Sequence, residues 1–154
     1  MVSLAQASGA VKTHMTISNL EFVDTNVLIY AFETGDTKRH KKAKEKIAQL
    51  AHDNRGALSA QVLIEFYSIT TGKLRFPPSA ARSAMLSFKY WALHSPQRSD
   101  VLQAIVIQQQ HQLSWWDALI VNSAQQLNAS ILWTEDLNHN QRIGNVTVRN
   151  PFLD

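Results

Sequence analysis

Phe22-Val23-Asp24-Thr25-Asn26-Val27-Leu28-Ile29 sets one carboxylate inside an apolar run. The same figure returns with Glu65 in Val62-Leu63-Ile64-Glu65-Phe66-Tyr67 and with Asp117 in Trp115-Trp116-Asp117-Ala118-Leu119-Ile120. Leu20 to Val23 reads as a short buried strand ending at Asp24, after which a helix begins with Thr25 or Asn26 as its cap. A short apolar strand answered by a helix is the repeating unit of a parallel α/β sheet.

Working outward, the same alternation continues. Thr37 to His52 is a basic helix, Gly56 to Ala60 a strand and Gln61 to Thr71 a helix with Val62, Glu65 and Ile69 on one line. After Pro77-Pro78, the spacing of Ala81, Ala84, Met85, Phe88 and Trp91 predicts a helix from Ser79 to about Trp91. Trp91 to His94 is a further short strand. Ser99 to Gln110 is expected as a helix with Leu102, Ile105 and Val106 inward, and Ser114 as the cap of a helix reaching Leu127. Ser130 to Thr134 and Val146 to Val148 are the last strands. Short apolar strands alternating with helices predict an α/β fold with a short central parallel sheet flanked by helices.

The 154 residues fit one domain, and no stretch is long and apolar enough to span a membrane. Residues 1–18 show no periodicity and are expected to form a disordered extension, leaving 19–154 as the domain. No charged start precedes a long apolar core, so a secretory leader is not expected and a cytoplasmic location is. The chain has no cysteine, so any metal site must be built from oxygen and imidazole ligands. Its six histidines show no metal-site pairing, and His111 and His139 are expected at the surface. A formal net charge of +3 modestly favours an anionic partner. The charge is concentrated in Lys38, Arg39, Lys41, Lys42, Lys44 and Lys46. The ordinary reading of that run is the solvated face of an amphipathic helix; contact with phosphates is compatible with it.

An unpartnered carboxylate in a protein interior costs on the order of several kcal/mol even after relaxation. Taken singly, each acid has an ordinary explanation. Asp24 could cap a helix, Glu65 pair with Arg75 or Arg82, Asp117 cap the helix after Ser114, and Glu135 and Asp136 open a turn with Asn138 and Asn140. Taken together, Asp24, Glu65, Asp117 and Asp136 fall at the carboxyl ends of strands or in the helices that follow, the edge where open α/β sheets bind ligands. A shared Mg²⁺ or Mn²⁺ is the simplest compensation, and metal-bound carboxylates suit phosphodiester hydrolysis.

Val23-Asp24-Thr25-Asn26-Val27-Leu28, the helix with Glu65-Phe66, Ser114-Trp115-Trp116-Asp117-Ala118-Leu119-Ile120 and Leu132-Trp133-Thr134-Glu135-Asp136-Leu137, in that order, resemble the PIN-domain nucleases. The similarity runs over about residues 19 to 153 and is nearest to the VapC toxins of bacterial type II toxin–antitoxin modules. The tail Asn150-Pro151-Phe152 resembles one branch of them. The resemblance implies a metal-dependent endoribonuclease acting on structured RNA, a homodimer, and a VapB-like antitoxin whose C-terminal segment covers the site. It assigns catalysis and metal binding to Asp24, Glu65, Asp117 and Asp136. Supporting roles fall to Thr25, Asn26, Thr134 and Glu135, with Glu135 competing with Asp136 for the fourth position. Lys38, Arg39, Lys41, Lys42 and Lys44 are the expected RNA contacts.

Other classes fit less well. A haloacid-dehalogenase-type phosphotransferase needs a second aspartate two residues after the first, where this chain has Asn26. A receiver domain needs adjacent acids after the first strand and a lysine after a late one, and no lysine follows Thr134. The serious competitor is a non-catalytic PIN-like module that only binds RNA or protein, whose signature would be loss of an acid.

Overall fold

The structure, a computed structural model, describes residues 19–153. The expected disordered extension therefore lies outside the described residues. The chain runs β1 (Glu21–Val23), α1 (Thr25–Phe32), α2 (Lys38–His52), β2 (Gly56–Ser59), α3 (Ala60–Gly72), α4 (Pro78–Leu86), β3 (Ala92–His94), α5 (Arg98–His111), α6 (Trp115–Gln126), β4 (Ile131–Trp133), β5 (Arg142–Ile143) and β6 (Val146–Arg149). One six-stranded sheet has the order β3-β2-β1-β4-β6-β5. Every pairing is parallel except the last, where β5 runs antiparallel to β6.

Helices on both faces explain why β1 and β2 are buried at every residue, and why their sequences do not alternate. Phe22, Leu28, Leu58, Phe66 and Leu132 are among the fully buried side chains that fill the layers between sheet and helices. At roughly 25 cal/mol per Å² of apolar surface, each contributes about 2 kcal/mol before entropy is counted. β1 lies at the middle of the sheet. The chain proceeds outward from it to β2 and β3 on one side, and to β4, β6 and β5 on the other. The crevice beyond the carboxyl ends of β1 and β4 is thus a topological switch point.

Three expectations are corrected. α1 is capped neither by Thr25 nor by Asn26 but by Asp24, whose side chain accepts from the Thr25 amide. The helix expected to reach about Trp91 stops at Leu86. The Ser87 hydroxyl donates to the Ala84 carbonyl at 2.5 Å, and the Ser87 amide is shared among the last carbonyls of α4. A serine that bonds the backbone in this way competes with helix continuation. Trp91 instead lies over Gly56, where a Cβ would come within 2.2 Å of the indole. In α5 the inward residues are Asp100, Ala104 and Ile107, whereas Leu102, Ile105 and Val106 are exposed. A polar residue sets that rotation. Asp100 caps the helix through the Gln97 amide at 2.8 Å and accepts from Asn122 of α6 at 3.3 Å.

Candidate metal centre

Asp24 follows β1, and its amide donates to the Trp133 carbonyl of β4 at 3.0 Å, which pins it over the crevice. Its carboxylate is buried. One oxygen accepts from the Thr25 amide at 2.7 Å, the other from the Thr134 hydroxyl at 2.8 Å. Both donors are neutral. Burial pushes the Asp24 carboxyl up to about 7, the Thr134 and Thr25 bonds offset part of the shift, and the charges of Asp136 and Asp117 add to it.

Asp117 stands in the first turn of α6, whose cap Ser114 accepts from the Asp117 amide at 3.1 Å. Asp136 comes from the segment after β4. Its amide donates to the Thr134 hydroxyl at 3.1 Å, and its carboxylate accepts from the Asn26 amide nitrogen at 2.7 Å. Partial burial, then Asp117, then Glu135 raise its carboxyl above the ordinary range, while Asn26 lowers it. Asp24, Asp117 and Asp136 each bring a carboxylate oxygen within 4.8 Å of the other two.

Glu65 stands outside this triplet but faces the same cleft. It accepts from the Thr25 hydroxyl at 2.7 Å and from the Gln61 amide nitrogen at 2.7 Å. These partners replace the ion pair with Arg75 or Arg82 that a lone buried glutamate suggested. Thr25 therefore links the two acid-bearing elements, with its amide on Asp24 and its hydroxyl on Glu65.

The residues present fit a divalent cation on two counts. The donor set is all oxygen, as Mg²⁺ or Mn²⁺ prefers. Of the three buried side-chain oxygens without a hydrogen-bond donor among the described residues, two, Asn26 Oδ1 and Gln61 Oε1, belong to residues that line this cleft. Both amides have their nitrogens committed, to Asp136 and Glu65, so their oxygens can be satisfied by the waters of a hydrated ion.

The acids open into a cleft of about 850 Å³ whose other walls include Ile64, Pro96, Val101, Trp116 and Leu119. Trp115 packs against the core, whereas Trp116 is 63% exposed at the cleft. Gln61 and the apolar wall were not apparent from the sequence. The signal for Gln61 was present, one helical turn before Glu65.

The remaining expected residues separate. Glu135 turns from the acids to Arg39 and pairs with it, which leaves Asp136 as the acid of that pair that joins the triplet. Among the described residues, Lys38, Arg39, Lys41, Lys42 and Lys44 lie on α2 and not in the lining of the cleft. Lys41 pairs with Asp36 at 3.1 Å on the surface. His111 and His139 are half-buried rather than exposed, and His139 accepts from the Asn150 amide at 3.0 Å.

A family model described as PIN domain matches residues 22–143. The chain belongs to the PIN domain family. Solved structures share this PIN fold. A toxin–antitoxin complex from Klebsiella pneumoniae superposes with a TM-score of 0.64 at 19% identity, covering 85% of this chain and 97% of its own. VapBC2 from Rickettsia felis, bound to a DNA fragment from its promoter, gives a TM-score of 0.59 at 21% identity, covering 85% and 98%. VapC20 of Mycobacterium tuberculosis, a sarcin–ricin-loop-cleaving toxin, gives 0.58 at 20% identity, covering 72% and 85%. Among curated protein sequences none matches the chain. No described helix is long and apolar enough to cross a membrane.

Proposed function

We propose that this PIN domain is a Mg²⁺- or Mn²⁺-dependent endoribonuclease, the toxin of a VapBC-type module. The observation that carries the proposal is the triplet Asp24, Asp117 and Asp136, gathered within 4.8 Å while Asp24 receives only neutral donors. Paired strand and helix ends alone do not require three acids in one place. The similarity to toxin–antitoxin structures, one of them named for cleaving the sarcin–ricin loop, supports the reading.

Asp24, Asp117 and Asp136 would hold the cation, which supplies electrophilic stabilisation of the phosphodiester oxygens and a more acidic bound water. The Thr25 amide and Thr134 hydroxyl fix the rotamer of Asp24, and Asn26 fixes Asp136. Glu65, held by Thr25 and Gln61, stands where it can accept a proton from a water in the cleft.

The apolar wall of Ile64, Val101 and Trp116 suits a VapB-like antitoxin segment lying across the acids. A cation from that partner would neutralise the pocket in place of metal. A homodimer and a cytoplasmic location belong to the same proposal, and the exposed stripe Leu102, Ile105 and Val106 gives a second copy an apolar face.

The test is cleavage of ribosomal and transfer RNA by purified chain in Mn²⁺ and in EDTA, with Asp24→Asn, Glu65→Gln and Asp117→Asn. Cleavage is expected only with metal, and each variant is expected to fall by at least about a hundredfold while melting as a folded protein. Full activity in EDTA, or in all three variants, overturns the reading. A folded chain that cleaves nothing but binds RNA or antitoxin is the non-catalytic module.

A further inference from the structure

Glu135 and Asp136 are consecutive carboxylates after β4, and the fold uses them differently: Asp136 lines the cleft and Glu135 does not. Asp136 meets Asn26 at 2.7 Å and joins the triplet. Glu135 meets the guanidinium of Arg39 on α2. Exposed ion pairs usually hold a side chain weakly, but Arg39 is held by more than one partner. Its Nη1 also donates to the Tyr30 hydroxyl at 2.9 Å. Its guanidinium carbon lies 5.3 Å from the Tyr30 ring centroid and 5.2 Å from that of Phe152. Those two rings meet edge to face at 5.1 Å. Phe152 is fixed in turn, because its amide donates to Asn150 Oδ1 at 2.9 Å. A planar guanidinium can lie against the rings of such a slot, between α1 and the C-terminal segment, while its N–H groups still donate in its own plane, a geometry that a lysine ammonium does not reproduce.

We propose that Arg39 is a positioning residue of the metal site: it sequesters Glu135, so that the site receives one carboxylate from this pair instead of two. The inference rests on the nuclease reading above. Released from Arg39, the Glu135 carboxylate would be left without its partner, one residue from Asp136, whose carboxyl already feels it. A cation gains affinity from each added carboxylate but exchanges a water for it, and a hydrolytic site needs that open position. Loss of Arg39 therefore moves metal affinity and catalysis in opposite directions. Removing a phosphate-binding group or a packing group does not.

The experiment measures Mn²⁺ binding to the full chain by calorimetry, and separately the affinity for RNA and the turnover of RNA at saturating Mn²⁺ and RNA. Arg39→Ala is expected to bind Mn²⁺ several-fold more tightly than wild type, while turnover falls about tenfold, the scale typical of residues that orient metal ligands. Adding Glu135→Gln to Arg39→Ala is expected to return both values to near wild type. Should Arg39→Ala melt as an unfolded protein, Arg39→Gln, which keeps a planar amide between the rings but loses the charge, takes its place with the same expectation. Weaker RNA binding with unchanged turnover would make Arg39 a phosphate-binding residue and overturn the proposal. So would a double variant no better than Arg39→Ala, which would mark a packing role. Wild-type chain that neither binds Mn²⁺ nor cleaves RNA would defeat the nuclease reading itself, a result distinct from either of these.

Discussion

Glu21 and Asp24 are buried carboxylates three residues apart, and their surroundings differ. Glu21 receives the Arg55 guanidinium at 2.6 Å and the Trp133 indole N–H at 2.6 Å, so its charge is matched within the protein. Asp24 receives one amide and one hydroxyl. Its carboxyl is raised from 3.8 to about 7, so across that window the folded, metal-free chain binds a proton that the unfolded chain has released. The sign follows: this group makes stability fall as pH rises from about 4 to 7, with the full loss present above 7. In EDTA the melting temperature is expected to drop between about pH 4 and 7 through this group, and Asp24→Asn to flatten the curve. Mn²⁺ affinity is expected to climb over the same range, because binding expels the proton. A pH-independent affinity would show that Asp24 is not a ligand. Asp24, Glu65 and Asp117 were legible because an acid inside an apolar run is a linear signal. The division between Glu135 and Asp136 was not, since it depends on Arg39, distant in sequence.

At the scale of elements, periodicity located the helices but misjudged where α4 ends and which face α5 buries. Both errors have the same origin. Polar side chains, the Ser87 hydroxyl and the Asp100 carboxylate, overrode the apolar pattern with specific bonds. Asp100 also faces His94, whose Nε2 lies 3.5 Å away, and His94 in turn meets Ser123 of α6 at 2.9 Å. The Gln97 amide, more than burial opposes it, holds the Asp100 carboxyl below the ordinary range. Asp100→Ala is accordingly expected to destabilise the protein by about 1–3 kcal/mol in urea unfolding at neutral pH, through a lost cap and an orphaned Asn122. The hairpin strand β5 escaped because two residues carry no periodicity. Gly56 gives a sharper test of packing. Its replacement by alanine drives a methyl group into Trp91 and is expected to cost about 1–3 kcal/mol. Mn²⁺ affinity should not change, because Gly56 begins β2 while the acids lie beyond the opposite end of the sheet. Coupled losses of stability and metal binding would mean that the layers are less independent than the sheet implies.

Across the whole molecule, the order of strands brings the acids together. Placing β4 beside β1 sets Thr134 and Asp136 against Asp24, although Thr134 stands 110 residues further along the chain. Sequence order alone could name the acids without showing that Glu65 stands one step behind the other three. The basic face of α2 lies outside the cleft, so its contribution to RNA binding is expected to be sequence-independent attraction. Changing Lys41 and Lys44 together to alanine, in an Asp117→Asn background, should lower the slope of log affinity against log salt by about 0.7 for each RNA phosphate that is no longer neutralised. An unchanged slope would leave α2 as a solvated face.

The most direct measurement is thermal melting of wild type and Asp117→Asn, each in EDTA and in Mn²⁺. In EDTA the asparagine variant is expected to be as stable as wild type or more so, since one of three mutually repelling carboxylates is gone. In Mn²⁺ at about a hundredfold excess over its dissociation constant, wild type should gain about 2.7 kcal/mol, and the variant should forfeit most of that gain. A wild-type melting temperature indifferent to Mn²⁺, with Asp117→Asn strongly destabilised in EDTA, would contradict the metal site and make Asp117 a structural hydrogen-bonding residue.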